Sequence, residues 1–157
     1  MREIHTGLIT EAVKEMCIEA NHVLARDMEQ VFNLAVKEED SPLGRQVLGQ
    51  LKENLKIAAE DMIPICQDTG MAVVFIKVGQ DVHITGGSLT GAVNEGVKRG
   101  YEEGYLRKSV VGDPIQRINT KDNTPAVIHY EIVEGDAVDI TVAPKGFGSE
   151  NMSRVFM

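Results

Sequence analysis

The sequence predicts an α+β fold, with N-terminal helices followed by a mixed β-sheet with a covering helix and a C-terminal β-hairpin. Apolar residues recur every three or four positions through about the first 60 residues, which is helical spacing. A β-branched run at 72–78 and two similar runs near the end of the chain are typical of strands. Because no internal repeat or low-complexity segment divides the sequence, residues 1–157 are predicted to form a single domain.

Two helical patterns open the chain. The first runs from about Thr6 to Lys37 and predicts one long helix or two in line. Cys17 lies on its apolar stripe, which predicts a small buried hydrophobe, whereas His22 lies off the stripe and is predicted to face solvent. The second helix is predicted to begin at Ser41-Pro42, an N-cap followed by a first-turn proline, and to end before Ile63-Pro64.

The strands are predicted from the second half of the chain. Residues 72–78 lack clean alternation, which predicts a central strand covered on both faces. A helix is predicted to follow at 89–101. The runs 126–133 and 137–142 flank Glu134-Gly135-Asp136 and predict a β-hairpin.

Composition and charge exclude several functional classes. The chain is 43% hydrophobic and 25% charged, as in an ordinary globular domain, and its net charge of −8 argues against a general nucleic-acid surface. Two cysteines without metal-site spacing give no disulfide framework, so we expect a reducing, cytoplasmic location. No apolar run approaches the roughly 20 residues that span a bilayer, so no membrane association is expected.

A polar run stands between the helical and the strand-rich parts. Cys66-Gln67-Asp68-Thr69-Gly70 follows Ile63-Pro64-Ile65, and the proline and the glycine predict a tight loop. Its Asp-Thr-Gly could belong to an aspartic protease, but that motif occurs once and would require a homodimer. The run could also be a plain polar turn whose side chains cap the backbone.

Three segments together resemble one enzyme family. The run 64–70, then Leu106-Arg107-Lys108-Ser109, then Lys145-Gly146-Phe147-Gly148-Ser149-Glu150-Asn151 are similar to the iron–sulfur class I fumarate hydratases and the related tartrate dehydratases. The resemblance runs in order across nearly all of the chain. It implies the N-terminal part of an α subunit or α domain of a hydro-lyase, which converts fumarate to malate or dehydrates tartrate.

The resemblance also implies a metal ligand. Cys66 would be one of three thiolates that hold a 4Fe-4S cluster. The other two cysteines and the catalytic base would lie outside this chain, downstream or in a β subunit or C-terminal domain. The fragment alone is therefore expected to lack a cluster and to be inactive.

The substrate contacts implied by the resemblance come from all three segments. Gln67 and Asp68 would lie beside the dicarboxylate, with Asp68 orienting its hydroxyl group or exchanging a proton. Arg107 would contact a substrate carboxylate. Backbone of the glycine loop would touch substrate at Gly148, or at Gly146 if the register differs.

Two expectations concern assembly. Long amphipathic helices leave apolar surface that a homodimer would cover. A second class of function is a non-catalytic assembly domain, which would supply dimer contacts and folding support to a larger enzyme.

Overall fold

The computed structural model of the protein describes residues 1–148 and 153–154. In chain order the elements are β1 (Arg2–His5), α1 (Thr6–His22), α2 (Arg26–Glu38), α3 (Pro42–Asp61), β2 (Met71–Gly79), β3 (Val82–Thr85), α4 (Leu89–Glu103), β4 (Val127–Val133) and β5 (Val138–Lys145). The predicted α+β class, with helices first and a mixed sheet after them, is confirmed. Ser149, Glu150 and Asn151 of the glycine-rich motif lie outside the described residues.

The helices begin and end close to their predicted positions. The first pattern forms two helices, α1 and α2, separated at residues 23–25. The Ser41 hydroxyl accepts a hydrogen bond from the Gly44 backbone N–H at 3.3 Å and caps α3, as the sequence predicts. α3 ends at Asp61, and its C-cap residue Met62 adopts a left-handed conformation with φ 51°.

β1 and β3 form a two-stranded sheet, and the three-stranded sheet has the order β4-β2-β5, with β2 in the centre as expected. β4 runs parallel to β2 and β5 runs antiparallel to it. The β-hairpin prediction is therefore wrong, since β4 and β5 form but lie on opposite sides of β2. The connection crosses the end of β2, where the Gly79 backbone N–H donates to the Ala137 carbonyl at 2.8 Å. Gly135, with φ 97°, allows the chain to turn between β4 and β5. The turn residues do not specify whether another strand lies between these two strands.

Only one face of β2 is covered among the described residues. Ala72, Val74 and Ile76 are buried, while the intervening Phe75 is 46% exposed and stacks on His129 with ring centroids 5.0 Å apart. The prediction of a strand covered on both faces is therefore wrong for this part of the chain. Val73 and Phe75 on the outward face are apolar as well, so the sequence shows no alternation of apolar and polar residues.

α1 and α4 pack closely because two glycines remove side chains from their contact. A Cβ at Gly96 would lie 2.7 Å from the Thr10 carbonyl oxygen, and one at Gly100 would lie 2.8 Å from the Cys17 Cβ. Cys17 is fully buried in this core, as predicted. The close contact also fixes Tyr101, which follows Gly100 and points towards the loop described below.

His22 differs from its prediction. Its side chain is only 1% exposed, and its Nδ1 lies 2.6 Å from the Ile18 carbonyl oxygen. The chain returns to this end of α1 after α3, where the Ile65 backbone N–H donates to the Asn21 carbonyl at 2.8 Å. Helical periodicity describes one stripe of α1 and does not reveal a tertiary contact at its last turn.

Candidate functional site

The polar loop predicted from residues 66–70 lies between the end of α3 and the start of β2. Gly70 has φ 60°, and a Cβ there would lie 1.8 Å from the Lys145 carbonyl oxygen. Only glycine combines that conformation with that close approach. Gly70 therefore allows the loop to pass directly against the end of β5.

All of the predicted site residues line one cavity. It has a volume of about 560 Å³, and its lining residues are Cys66, Gln67, Asp68, Arg107, Ser109 and Gly148. They come from three segments that are far apart in the chain. The structure therefore brings together a thiol, an amide, a carboxylate, a guanidinium group and a hydroxyl group.

Asp68 is oriented by the glycine loop that follows β5. Its Oδ2 accepts a hydrogen bond from the Gly148 backbone N–H at 2.9 Å. A Cβ on Gly148 would lie 2.9 Å from that oxygen, and one on Gly146 would lie 3.0 Å from the Asp68 Cγ. Both glycines thus allow backbone to approach the carboxylate, and Gly148 is the one that lines the cavity.

The two cysteines have opposite environments. Cys66 is exposed, and its Sγ accepts a hydrogen bond from the Asp68 backbone N–H at 3.4 Å. Cys17 is fully buried, and desolvation by burial raises the pKa of its thiol to about 12. Cys66 is therefore the thiol available to a ligand in the described part of the chain.

The donor set of this cavity fits part of a metal centre. No group of three or more His, Cys, Asp or Glu residues that could hold a metal ion occurs among residues 1–148 and 153–154. An exposed thiol with a backbone N–H directed at its sulfur is nevertheless a typical iron–sulfur ligand. The described residues thus supply one thiolate donor at this cavity, which fits one ligand of a cluster and not a complete site.

Arg107 reaches the cavity from the segment after α4. Its side chain is exposed, and its backbone carbonyl accepts a hydrogen bond from the Thr69 hydroxyl at 2.9 Å. Ser109, two residues later, also lines the cavity, whereas Lys108 does not. Ser109 belongs to the motif Leu106-Arg107-Lys108-Ser109, but the sequence predicted no role for it. In an extended segment every second side chain lies on the same side, so this alternation could have placed Ser109 on the same side as Arg107.

Side chains of α4 and α3 hold the loop from below. The Tyr101 hydroxyl donates to the Thr69 carbonyl at 2.8 Å, and burial raises the pKa of that phenol, so it stays a protonated donor. The Asn54 amide of α3 donates to the Ile65 carbonyl at 3.0 Å. The site loop is thus held by packed helices, and the exposed residues Cys66 and Gln67 project from a supported backbone.

Asn123 is a site-supporting residue that sequence reasoning missed. It is fully buried, and its side chain bridges the two segments that carry Gly70 and Ser109. It lies in a polar connection, residues 113–125, which the sequence predicts to be a loop at the site mouth or a subunit contact. An asparagine in a turn-rich segment indicates a turn and does not reveal a distant partner.

A larger cavity of about 630 Å³ lies at α2 and α3. It is lined by Val23, Leu24, Glu29, Phe32, Lys52, Glu53, Leu55, Lys56 and Ala59. None of these residues is a predicted site residue. Although this cavity is larger, the reactive groups that converge around Cys66 make the smaller cavity the better candidate for the functional site.

Comparison with known proteins identifies the family. A model of the fumarate hydratase (Fumerase) family matches residues 10–157. The chain belongs to this family. The resemblance of its three segments to the class I fumarate hydratases and tartrate dehydratases is thereby confirmed.

Individual relatives carry both names. A Methanocaldococcus jannaschii protein, provisionally named L(+)-tartrate dehydratase subunit alpha, is 36% identical over 155 residues, which are 95% of this chain and 54% of that protein. The aerobic class I fumarate hydratase of Escherichia coli K12 is 36% identical over 130 residues, 82% of this chain and 24% of that enzyme. The L(+)-tartrate dehydratase subunit alpha of Escherichia coli UTI89 is 29% identical over 114 residues, 70% of this chain and 37% of that subunit. The chain thus spans about half the length of the first relative and about a quarter of the second.

Proposed function

We propose that this chain contributes part of the active site of an iron–sulfur hydro-lyase that reversibly hydrates a C4 dicarboxylate, fumarate to malate. The observation that carries the proposal is the convergence of Cys66, Asp68 and Arg107 on one cavity in a chain of the fumarate hydratase family. A metal-assisted hydration of a dianion requires a soft metal ligand, a carboxylate and a guanidinium group that binds a carboxylate through two donors.

Cys66 is the residue that would hold the 4Fe-4S cluster. The Asp68 backbone N–H, which donates to its sulfur, would help to orient that sulfur towards a metal. When bound, the cluster would supply Lewis acidity towards the substrate hydroxyl group at its open iron. Because the second cysteine, Cys17, is buried in the core, two further thiolates must come from outside this chain. Residues 1–157 alone are therefore expected to hold no stoichiometric cluster and to show no turnover.

Arg107, Gln67 and Gly148 would bind the substrate. The guanidinium group of Arg107 can grip one carboxylate through two parallel N–H donors. The exposed amide of Gln67 offers a donor and an acceptor at the same cavity. The Gly148 backbone lines the cavity beside Asp68, where it would contact the substrate.

Asp68 would orient the substrate hydroxyl group or exchange a proton with it. Its Oδ2 is engaged by Gly148, so Oδ1 is the oxygen that remains for the ligand. The base that removes the carbon-bound proton would come from a β subunit or a C-terminal domain. This division assigns binding and orientation to the present chain.

The partners and location follow from the same proposal. The substrate would be a small dicarboxylate, and the completing partner a β subunit or C-terminal domain. None of the helices in the described residues is long and apolar enough to cross a membrane. We infer a cytoplasmic enzyme, because a reducing compartment suits an exposed cluster-binding thiol.

A homodimer is the proposed assembly. Large apolar side chains on α2 and α3 remain exposed: Met28, Val31, Leu34, Leu43, Val47 and Leu51. They recur every third residue on α2 and every fourth on α3, and we call these six residues the α2–α3 stripe. A second copy of the chain would cover it about a two-fold axis.

Tartrate dehydration is the alternative reaction. Relatives bearing the tartrate dehydratase and the fumarate hydratase names are each 36% identical to this chain. Overall identity therefore does not choose between the two substrates. Both reactions use a dicarboxylate whose hydroxyl group and proton leave neighbouring carbons, so the same roles apply to Cys66, Asp68 and Arg107.

A non-catalytic assembly domain is the alternative of a different class. The α2–α3 stripe and the single exposed thiol of the described residues are the observations that favour it. In that case the cavity would be a structural junction, and substitutions at Arg107 would leave catalysis of the whole enzyme unchanged.

Anaerobic turnover of the intact enzyme separates these possibilities. Loss or formation of the fumarate double bond can be followed by ultraviolet absorbance, with L-tartrate as the second substrate. Hydration of fumarate supports the main proposal, and turnover of tartrate alone supports the alternative reaction. No turnover of either substrate by enzyme that contains a full cluster would overturn both.

A further inference from the structure

Asn123 occupies an unusual position for a polar residue. It is fully buried, and it adopts a left-handed conformation with φ 62°. Asparagine tolerates this conformation better than most residues with a side chain. A buried amide requires hydrogen-bond partners, since leaving one unpaired costs more than the bond itself contributes.

Both ends of the Asn123 side chain are used. Oδ1 accepts hydrogen bonds from the Ser109 backbone N–H at 2.7 Å and the Val110 backbone N–H at 3.1 Å. Nδ2 donates to the Gly70 carbonyl at 3.0 Å. We call this set of three bonds the amide bridge. It joins the end of the polar loop at residues 66–70, which we call the Cys66 loop, to the segment that carries Arg107.

The amide bridge requires a group that accepts on one side and donates on the other. An amide does so, whereas an ionised carboxylate of the same shape only accepts. An aspartate at this position would keep the bonds from Ser109 and Val110 but would place an oxygen against the Gly70 carbonyl. Asparagine is thus matched to its partners in shape and in hydrogen-bonding polarity.

A second link runs beside the bridge. The Thr69 hydroxyl donates to the Arg107 carbonyl, and Thr69 itself is only 3% exposed. Residues on each side of these links line the same cavity, with Cys66 and Asp68 on one side and Arg107 and Ser109 on the other. The links therefore fix the distance between the two walls of the cavity.

The backbone around Asn123 is also held in place. The Thr120 backbone N–H donates to the Val110 carbonyl at 3.0 Å, and the Lys121 backbone N–H donates to the Asn119 Oδ1 at 2.7 Å. The Asn123 side chain thus extends from a loop that is bonded to the same segment it supports. Asn123 can therefore influence the position of the Arg107 segment without contacting a ligand.

We propose that Asn123 is a positioning residue that sets the separation between the Cys66 loop and the Arg107 segment, and so the grip on a dicarboxylate held between them. This inference rests on the proposed hydro-lyase function. A substrate that contacts both walls is sensitive to their separation, because a displacement of about 1 Å can lower the rate by about a hundredfold.

Asn123→Asp in the intact enzyme tests the proposal. We expect KM for the dicarboxylate to rise about tenfold or more at unchanged iron and sulfide content. Hydrogen exchange should become faster in peptides that cover residues 66–72 and 106–111. A purely structural role would lower the fraction of active enzyme and leave KM unchanged.

The matched control is Asn94→Asp. The Asn94 side chain also bridges two backbone segments, since Nδ2 donates to the Thr90 carbonyl at 3.0 Å and Oδ1 accepts from the Ala126 N–H at 2.9 Å. None of these residues lines the cavity. This variant should keep the wild-type KM even if its melting temperature falls.

A raised KM in Asn123→Asp but not in Asn94→Asp supports the proposal. A wild-type KM in Asn123→Asp overturns it, whether or not hydrogen exchange becomes faster. If Asn123→Asp does not fold, Asn123→Gly suits the φ of 62° and removes the whole amide bridge, and a wild-type KM in that variant overturns the proposal equally. If the wild-type enzyme turns over neither substrate, the proposed function fails. Hydrogen exchange then tests the bridge by itself, and unchanged exchange at 66–72 would refute it.

Discussion

Asp68 and Gly148 lie 80 residues apart in the chain, and the Gly148 backbone N–H donates a hydrogen bond to the Asp68 Oδ2 at 2.9 Å. This contact joins the loop before β2 to the glycine loop after β5. It holds the carboxylate at the cavity wall with one oxygen engaged. Any added atom on Gly148 must therefore displace the group that we propose to act on the substrate.

Gly148→Ala should impair the intact enzyme through Asp68. A Cβ at this position would lie 2.9 Å from the Asp68 Oδ2, so the carboxylate must move or lose its bond. We expect kcat/KM to fall by about ten- to a hundredfold, measured with the preferred dicarboxylate.

Gly49→Ala is the matched control for that substitution. Gly49 lies within α3, and a Cβ there would contact nothing within 4 Å. This variant should keep its activity and gain about 0.5 to 1 kcal/mol of stability from the better helix former. Equal kinetics in Gly148→Ala and Gly49→Ala would show that the Asp68 contact is unimportant.

Arg107→Lys should weaken substrate use while cluster content stays nearly intact. Lysine keeps the charge but loses the fork that grips a carboxylate through two donors. A charged hydrogen bond contributes about 1.5 to 3 kcal/mol, so kcat/KM should fall by about ten- to a hundredfold. A change confined to KM would indicate equal binding of ground and transition states, whereas a fall in kcat would indicate a tighter grip in the transition state.

Lys108→Ala provides the comparison for Arg107. Lys108 is the neighbouring cation and does not line the cavity. It should retain wild-type kinetics. Arg107→Lys with the same kinetics as wild type would remove Arg107 from the site and favour the assembly-domain alternative.

Much of the fold could be predicted because its signals are local. Ser41 and Pro42 mark the start of α3, and the β-branched run before Gly79 marks the central strand. Motif similarity likewise directed attention to Cys66, Asp68 and Arg107, which the structure brings to one cavity.

Three of the failures involve partners that are distant in sequence. β4 and β5 look like a hairpin because the turn between them is local, whereas the insertion of β2 is not. His22 is buried because the chain returns to the end of α1 after α3. Asn123 was missed because an isolated asparagine does not show that it will bond Gly70 and Ser109.

The two thiols should react at different rates in the 157-residue chain. Cys66 is exposed, whereas Cys17 is fully buried with a pKa raised to about 12, so Cys17 remains a protonated thiol at pH 8. We expect a thiol reagent to label one equivalent in the native protein and two after denaturation. Two equivalents labelled at the same rate in the native protein would contradict the core packing of α1.

The α2–α3 stripe should mediate the proposed dimer. Light scattering at several concentrations should give the mass of two copies. Val47→Glu places a charge in the stripe and should shift the protein to a monomer that keeps its helical content. Ile115→Glu, at a residue that is 89% exposed outside α2 and α3, should remain dimeric. A wild-type monomer at high concentration would count against this assembly.

The central claim is that the cavity at Cys66 is the site of an iron–sulfur hydro-lyase. Its most direct test is iron and sulfide content, measured with turnover, in the intact enzyme carrying Cys66→Ser or Cys17→Ala. Cys66→Ser should lose the cluster and the activity together, because a hydroxyl group replaces the thiolate ligand. Cys17→Ala should keep both, since it removes only a buried thiol from the core. A full cluster and wild-type turnover in Cys66→Ser would contradict the account.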